Sequence, residues 1–443
     1  MAFKVKSSKQ KSWFVAKVAA AVLLVLLPKF ELHAQLIFFT NNDAITISGY
    51  DGTNSEVVIP SMTNGLPVTT IGTNAFIGSA ITKISLADSI TSIEYQAFWG
   101  CFGLTNIVMP DSVTRIGNLA FYDCINLSDV TLGNNVKDIG FGAFDECYRI
   151  KGIVLPNSLT NLDDKTFWDC LNLTNISIPA GVMHIGTAAF FGCFNLMAIQ
   201  VDKNNQAYDS VAGVLFDKGG TTLIEFPQGM RGDYQIPTGV TNVGAYAFGL
   251  SDLNSVLIPN SVQIISDYAF EGSGGFTTFT IPNSVTSIGN GAFDDCPWLN
   301  TITIGSGVKN IGDYAFAFNG MLVNVFFVGN ATTNIGTNIF VNDSATVYYL
   351  PATTGWDMTF GGLPTQLWNP QIQTSDGSFG VLSNQFGFNI IGAANIPVVV
   401  EACTNVGDNW LPLQSVNLVS NSWYFVDAEW TNYPARFYRI RSP

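Results

Sequence analysis

Charge is scarce in this chain. Only 12% of its 443 residues are Asp, Glu, Lys or Arg, and there are two histidines. A coiled coil or a disordered tail needs far more charge, and a hydrophobic share of 47% places the sequence among chains that bury a core. Basic side chains are scarcest where they would matter. Lys4, Lys6, Lys9, Lys11, Lys17 and Lys29 all precede residue 34; removing residues 1–34 takes these six Lys and Glu31 and leaves 13 basic against 32 acidic side chains. A net charge near −19 offers no surface to a phosphate backbone, so nucleic acid is excluded as a partner. After the leader no run of about 18 apolar residues exists, and insertion into a membrane is not expected.

The leader itself has the form of a signal peptide over residues 1–34. Its lysines make a basic start, Val18 to Leu27 form an apolar run, and Ala34 precedes a cleavage point, although Leu32 is larger than the usual small residue at its position. Export to the cell surface or the medium follows.

What the chain has in abundance is self-similarity. A recurrent Ala-Phe pair aligns Phe76, Phe98, Phe121, Phe144, Phe167 and Phe190, then Phe248, Phe270, Phe293 and Phe316, and Phe340 after Ile339. Around each, the pattern Ile-Gly-x-x-Ala-Phe-x-x-Cys-x-x-Leu-x-x-Ile-x-Ile-Pro returns every 22 to 24 residues, apart from one long gap between Phe190 and Phe248. The Ile-x-Ile segment has the two-residue period of a half-buried strand, and the following proline ends it. A unit this short cannot bury its own apolar face, so successive units must stack, with all the aligned Phe rings in one continuous core. The Gly after the first Ile (Gly72, Gly117, Gly186, Gly289) is expected where the turn needs positive φ or a close backbone approach.

These residues resemble the leucine-rich repeat of BspA-like surface antigens over about residues 36–368. The resemblance implies a right-handed repeat solenoid of short parallel strands with short helical or irregular returns, carried by a bacterial surface or secreted protein. It also matches the long gap, where Asn205 to Tyr208, Gly213 to Phe216 and Leu223 to Pro227 resemble an irregular rung, at about residues 199–237. The expected organisation is a solenoid over 35–340, a C-terminal cap over 341–370 with Trp356 and Trp368 as lids, and a small antiparallel β-sandwich over 371–443.

Candidate chemistry is thin. Cys101, Cys124, Cys147, Cys170, Cys193 and Cys296 fall three residues after the aligned Phe, but Ser79, Ser251, Ser273 and Asn319 share that phase, so buried free thiols are expected and neither disulfides nor zinc. His184 varies freely with Arg115, Asp138 and Asn161, which makes it a surface residue and leaves no base for a Ser or Cys nucleophile. Asp123, Glu146, Asp169 and Asp295 form an acidic row. It reads as a solvated row, with a cation site or a catalytic pair of a polysaccharide-active enzyme as the sharper alternative.

Two surfaces remain as binding candidates. Trp99, Tyr122, Trp168 and Phe191 each follow a core Phe and would form an outward aromatic stripe confined to the N-terminal half; packing among themselves is the plainer reading. On the strands, Asn106, Asp129 and Asn175 start a polar row that would face a ligand across the sheet. The expected function is a non-enzymatic binding or adhesion protein that presents these surfaces to a protein or glycan outside the cell. No catalytic residue, metal ligand or cofactor is expected, and a purely structural envelope protein is the other alternative.

Overall fold

A computed structural model describes residues 36–41, 43–394 and 396–441. The leader lies outside the described residues. The rest forms a β-solenoid of about thirteen turns with almost no helix. Of the two return types the repeat allows, the irregular one is present: between strands the chain runs through hydrogen-bonded turns, and among the described residues the one helical element assigned is a three-residue 3-10 turn, Trp430–Asn432.

Most turns of the solenoid contribute to two rows of parallel strands, the first of them interrupted at residues 151–156, which form no strand. The Ile-x-Ile segments supply one, in which Glu56–Val58, Lys83–Ser85, Asn106–Val108 and Asp129–Thr131 lie side by side. The Ile-Gly segments supply the other, through two-residue strands such as Arg115–Ile116, Asp138–Ile139, Asn161–Leu162 and His184–Ile185. At this second sheet most turns carry glycine for want of space, although Glu94, Asp163 and Ser266 take the same position in others. A Cβ on Gly186 would lie 2.1 Å from the Asp164 nitrogen and one on Gly289 2.5 Å from the Asp267 nitrogen, so the close approach requires these glycines; neither has positive φ.

Positive φ falls elsewhere in the unit, two residues before and two residues after the aligned Phe. Gln96, Leu119, Lys165 and Ala188 occupy the first site, and Gly78, Gly100, Asp123, Glu146, Asp169 and Gly192 the second, with φ between 53° and 79°. This kinked return aims alternate N–H groups at the next turn. Lys165, Phe167 and Asp169 donate to the carbonyls of Thr187, Ala189 and Phe191 at 3.1, 2.8 and 2.8 Å.

The phenylalanines stack as expected, ring on ring, but not in one column. Phe76 to Phe190 are parallel pairs with centroids 5.1 to 5.9 Å apart. A second column begins at Phe226 and continues through Phe248, Phe270, Phe293 and Phe316 to Phe340. The expected single core is therefore two, meeting near Val214 and Leu215. The cause is the irregular segment, where the antiparallel strands Tyr208–Val211, Val214–Asp217 and Thr222–Glu225 interrupt the parallel order.

Tyr50 covers the start of the first column, 5.3 Å from Phe76. At the far end Trp356 packs on Phe327, Tyr349 and Phe360. The last strands form two antiparallel sheets, one of Gln371–Ile372, Gly380–Leu382, Gln385–Ile391 and Ser422–Asp427, the other of Pro397–Cys403, Leu411–Asn417 and Phe437–Arg441. Their shared core of Phe388, Ile390, Val398, Val400 and Phe425 also takes in Phe326 and Tyr348 from the solenoid, and the Trp368 indole donates to the Pro397 carbonyl at 2.8 Å. The sandwich is thus packed on the last turns.

Candidate binding surfaces

The aromatic stripe is two clusters with a carboxylate between them. Trp99 and Tyr122 meet edge to face at 5.5 Å, the next turn places Asp145 in the same phase, and Trp168 stacks on Phe191 at 4.3 Å. Trp99, Tyr122 and Trp168 are half-buried. Phe191 is a correction to the outward stripe: it is only 6% exposed. It is covered by the Trp168 and Tyr246 rings and by Gly249, whose Cβ would lie 2.6 Å from the Phe191 ring. The second cluster includes two residues the repeat alignment does not place in the row, Tyr246 at 5.4 Å from Phe191 and Tyr268 at 5.0 Å from Tyr246. They start from the positive-φ site two residues before Phe, and a stripe read from one phase cannot find them. The Lys165 ammonium sits 4.1 Å above the Trp168 ring, a cation–π contact that already uses that ring's face.

Asp123, Glu146, Asp169 and Asp295 share a left-handed site with Gly78, Gly100 and Gly192, but also with Leu250 and Phe318, so the backbone favours glycine and Asp there without requiring an acid. Glu146 is braced by the hydroxyls of Tyr122 at 2.9 Å and Tyr148 at 2.7 Å. Around it the field is mostly negative, with the Lys165 charge opposing it at Asp145. Burial and then the Glu146 charge raise the Asp123 and Asp169 carboxyls, and Asp145, 9% exposed with its Oδ1 unpartnered, is pushed up to about 7 by burial and by the charges of Glu146 and Asp169. Among the described residues no three of His, Cys, Asp and Glu converge as a metal site.

The cysteines are all free and buried. Each thiol of the column clips neighbouring turns together: Cys124, Cys147, Cys170 and Cys193 donate to the carbonyls of Phe98, Phe121, Phe144 and Phe167 at 3.1 to 3.2 Å. Ser273 and Asn319 make the same bond to Phe248 and Phe293. The phase therefore demands a small donor and not a sulfur. His184 is exposed on its two-residue strand.

On the strand face Asn106 and Asp129 are exposed and directly paired across adjacent strands, while Asn175 lies two turns further on. Just beyond them runs a row that alternates apolar and polar: Val58, Ser85, Val108, Thr131, Val154, Ser177. The valines are 73%, 63% and 85% exposed, more than any core packing would leave them. Gly152 carries no side chain toward its neighbours, and an open cleft of about 570 Å³ lies here between Val154, Asn157, Asn175, Ser177 and Gln200.

Comparison with known proteins agrees with this architecture. The model of the BspA type leucine rich repeat region matches residues 58–211 and 232–353 in six copies. A leucine rich cell surface protein from Faecalibacterium prausnitzii superposes with a TM-score of 0.53 at 25% identity, over 74% of this chain and 92% of that one. A leucine-rich repeat protein from Eubacterium ventriosum gives 0.58 at 26%, over 70% and 81%. The pneumococcal vaccine antigen PcpA gives 0.51 at 18%, over 73% and 93%, a likeness of fold. No curated protein matches. Among the described residues no helix is long and apolar enough to cross a membrane.

Proposed function

The chain belongs to the BspA-type leucine-rich-repeat family, and from that premise we propose that it is an exported, non-catalytic binding protein whose strand face engages a protein outside the cell. The observation that carries this reading is the row of exposed valines at every second turn, Val58, Val108 and Val154, separated by Ser and Thr and flanked by Asn106, Asp129 and Asn175. Adjacent turns are about 4.8 Å apart, so the valines repeat at roughly 10 Å along a face whose neighbouring row also carries Glu56, Lys83 and Asp129. Apolar contacts framed by short hydrogen-bonding side chains suit a protein surface. The family's cell-surface members and the net negative charge support an extracellular setting.

Trp99, Tyr122 and Trp168 are the secondary candidate, with a half-buried face that could add aromatic contacts at the edge. Phe191 contributes to that cluster by packing.

The test uses the chain without residues 1–34, presented to extracellular-matrix and serum proteins and to a glycan array. Val108→Glu with Val154→Glu should weaken capture of a protein ligand more than tenfold, at least about 1.4 kcal/mol, with an unchanged melting temperature, because both side chains are already in solvent. Trp99→Ala with Trp168→Ala should change it less. Glycan binding that survives the valine changes and is lost with the tryptophans would reverse the assignment, and no ligand for an abundant surface protein would favour a spacer.

A further inference from the structure

Glu225 stands where the repeat has an alanine. It precedes Phe226 as Ala97 precedes Phe98, Ala189 precedes Phe190 and Ala247 precedes Phe248, a column that lies inside the core. Its side chain is 3% exposed and its Oε1 has no hydrogen-bond partner. Among the described residues no cation offsets its burial, which alone drives the carboxyl well above the usual range; the titratable groups beside it, Cys193 and Tyr208, are likewise pushed up by burial.

The same place is where the ladder between turns fails. One turn after Lys165, Phe167 and Asp169, the N–H groups of Ala188, Phe190 and Gly192 have no hydrogen-bond partner among the described residues, and the ladder resumes only when Phe226 donates to Ala247 at 2.8 Å. Between the two stacks lies a cavity of about 260 Å³, lined by Ala188, Phe190, Tyr208, Glu225 and Asn242 and reached past the exposed Thr187. A carboxyl in the alanine column and two of the residues with unpaired donors, Ala188 and Phe190, thus line one small space.

We propose that this cavity binds a small zwitterion of amino-acid size, whose carboxylate accepts from the Ala188 and Phe190 N–H groups and whose ammonium pairs with the Glu225 carboxylate. Each half of the site is costly when empty and satisfied by one half of the ligand. Donors without an acceptor and a carboxyl buried without a counter-charge are both unfavourable. A simple anion would meet Glu225, and a simple metal cation would meet N–H groups and a single carboxylate. The volume lies below the ~300 to 1,000 Å³ of sites for drug-sized ligands, which limits the occupant to a small molecule. Pairing with an ammonium favours the ionised form of Glu225, whose carboxyl is held above the usual range by burial, so binding releases protons to the buffer.

The experiment is calorimetric titration of the chain without residues 1–34 with each of the common free amino acids, and with acetate and ethylammonium as half-ligands. The expected result is at least one amino acid bound with Kd of about 1 mM or tighter, with heats that differ between buffers of different ionisation enthalpy, and neither half-ligand bound comparably. Glu225→Gln should weaken that binding at least tenfold, and Glu225→Ala, which restores the alanine column, should abolish it while raising the melting temperature. The proposal is overturned if no amino acid binds the unaltered chain at about 10 mM, if Glu225→Gln binds as well as the unaltered chain, or if a crystal grown with the amino acids shows only ordered water between Phe190 and Phe226.

Discussion

At the scale of single residues, the fold tolerates carboxylates where it would rather have neutral groups. Asp145 is pushed up to about 7, Asp294 to about 6 and Asp343 to about 8, in each case first by burial. In the unfolded chain these groups ionise near pH 4, so between about pH 4 and pH 7 the native state holds the extra protons and stability falls as pH rises. The melting temperature should therefore be higher at pH 5 than at pH 8. Asp145→Asn should stabilise by about 1 to 2 kcal/mol at pH 8 and little at pH 5, which flattens the profile in thermal melts at a series of pH values. The thiols give a second check at this scale. With seven cysteines free and buried, Ellman's reagent should find none in the native protein and all seven in guanidinium, and Cys147→Ser should keep the bond to Phe121 whereas Cys147→Ala should lose about 1 kcal/mol in urea melts.

At the scale of the element, each turn contributes a strand legible in sequence and one that is not. The Ile-x-Ile strands show the period of two because three or four residues suffice to display it. The Ile-Gly strands are two residues long, too short for any alternation, and exist because the neighbouring turn offers the same two residues in register. Their stability is that of the stack. Phe144→Ala, in the middle of the first column, should cost about 3 to 5 kcal/mol, since the ring loses a stacked partner on both faces. Phe340→Ala, with a ring neighbour on one face in its column, should cost less in the same urea experiment.

At the scale of the molecule, the solenoid is two stacks joined by an irregular segment and closed by a sandwich. Neighbouring turns hold one another, so a break in the ladder is also a break in cooperativity. Urea unfolding should show two transitions. Trp99 and Trp168 report on the first stack and Trp356 on the second, and removing residues 1–34 should leave both unchanged. A single transition with coincident probes would mean that the contacts near Leu215 couple the stacks fully.

The sequence by itself determined the repeat, the inward Phe column, the strand that ends in proline, the small-donor phase of the cysteines and the sandwich after the solenoid. Each of these follows from one period imposed on residue types whose burial or backbone preference is strong. Only the tertiary structure decided where that period lapses. Phe226 was hidden because Glu225 replaces the alanine that marks the repeat; Phe191 is buried because Trp168, Tyr246 and Gly249 cover it; Tyr246 and Tyr268 joined a cluster from a different phase. The acidic row lies at a left-handed site that it shares with glycines, Leu250 and Phe318, which no spacing reveals. Periodicity is a local property that sequence records, whereas a seam depends on how two stacks meet across residues far apart in the chain.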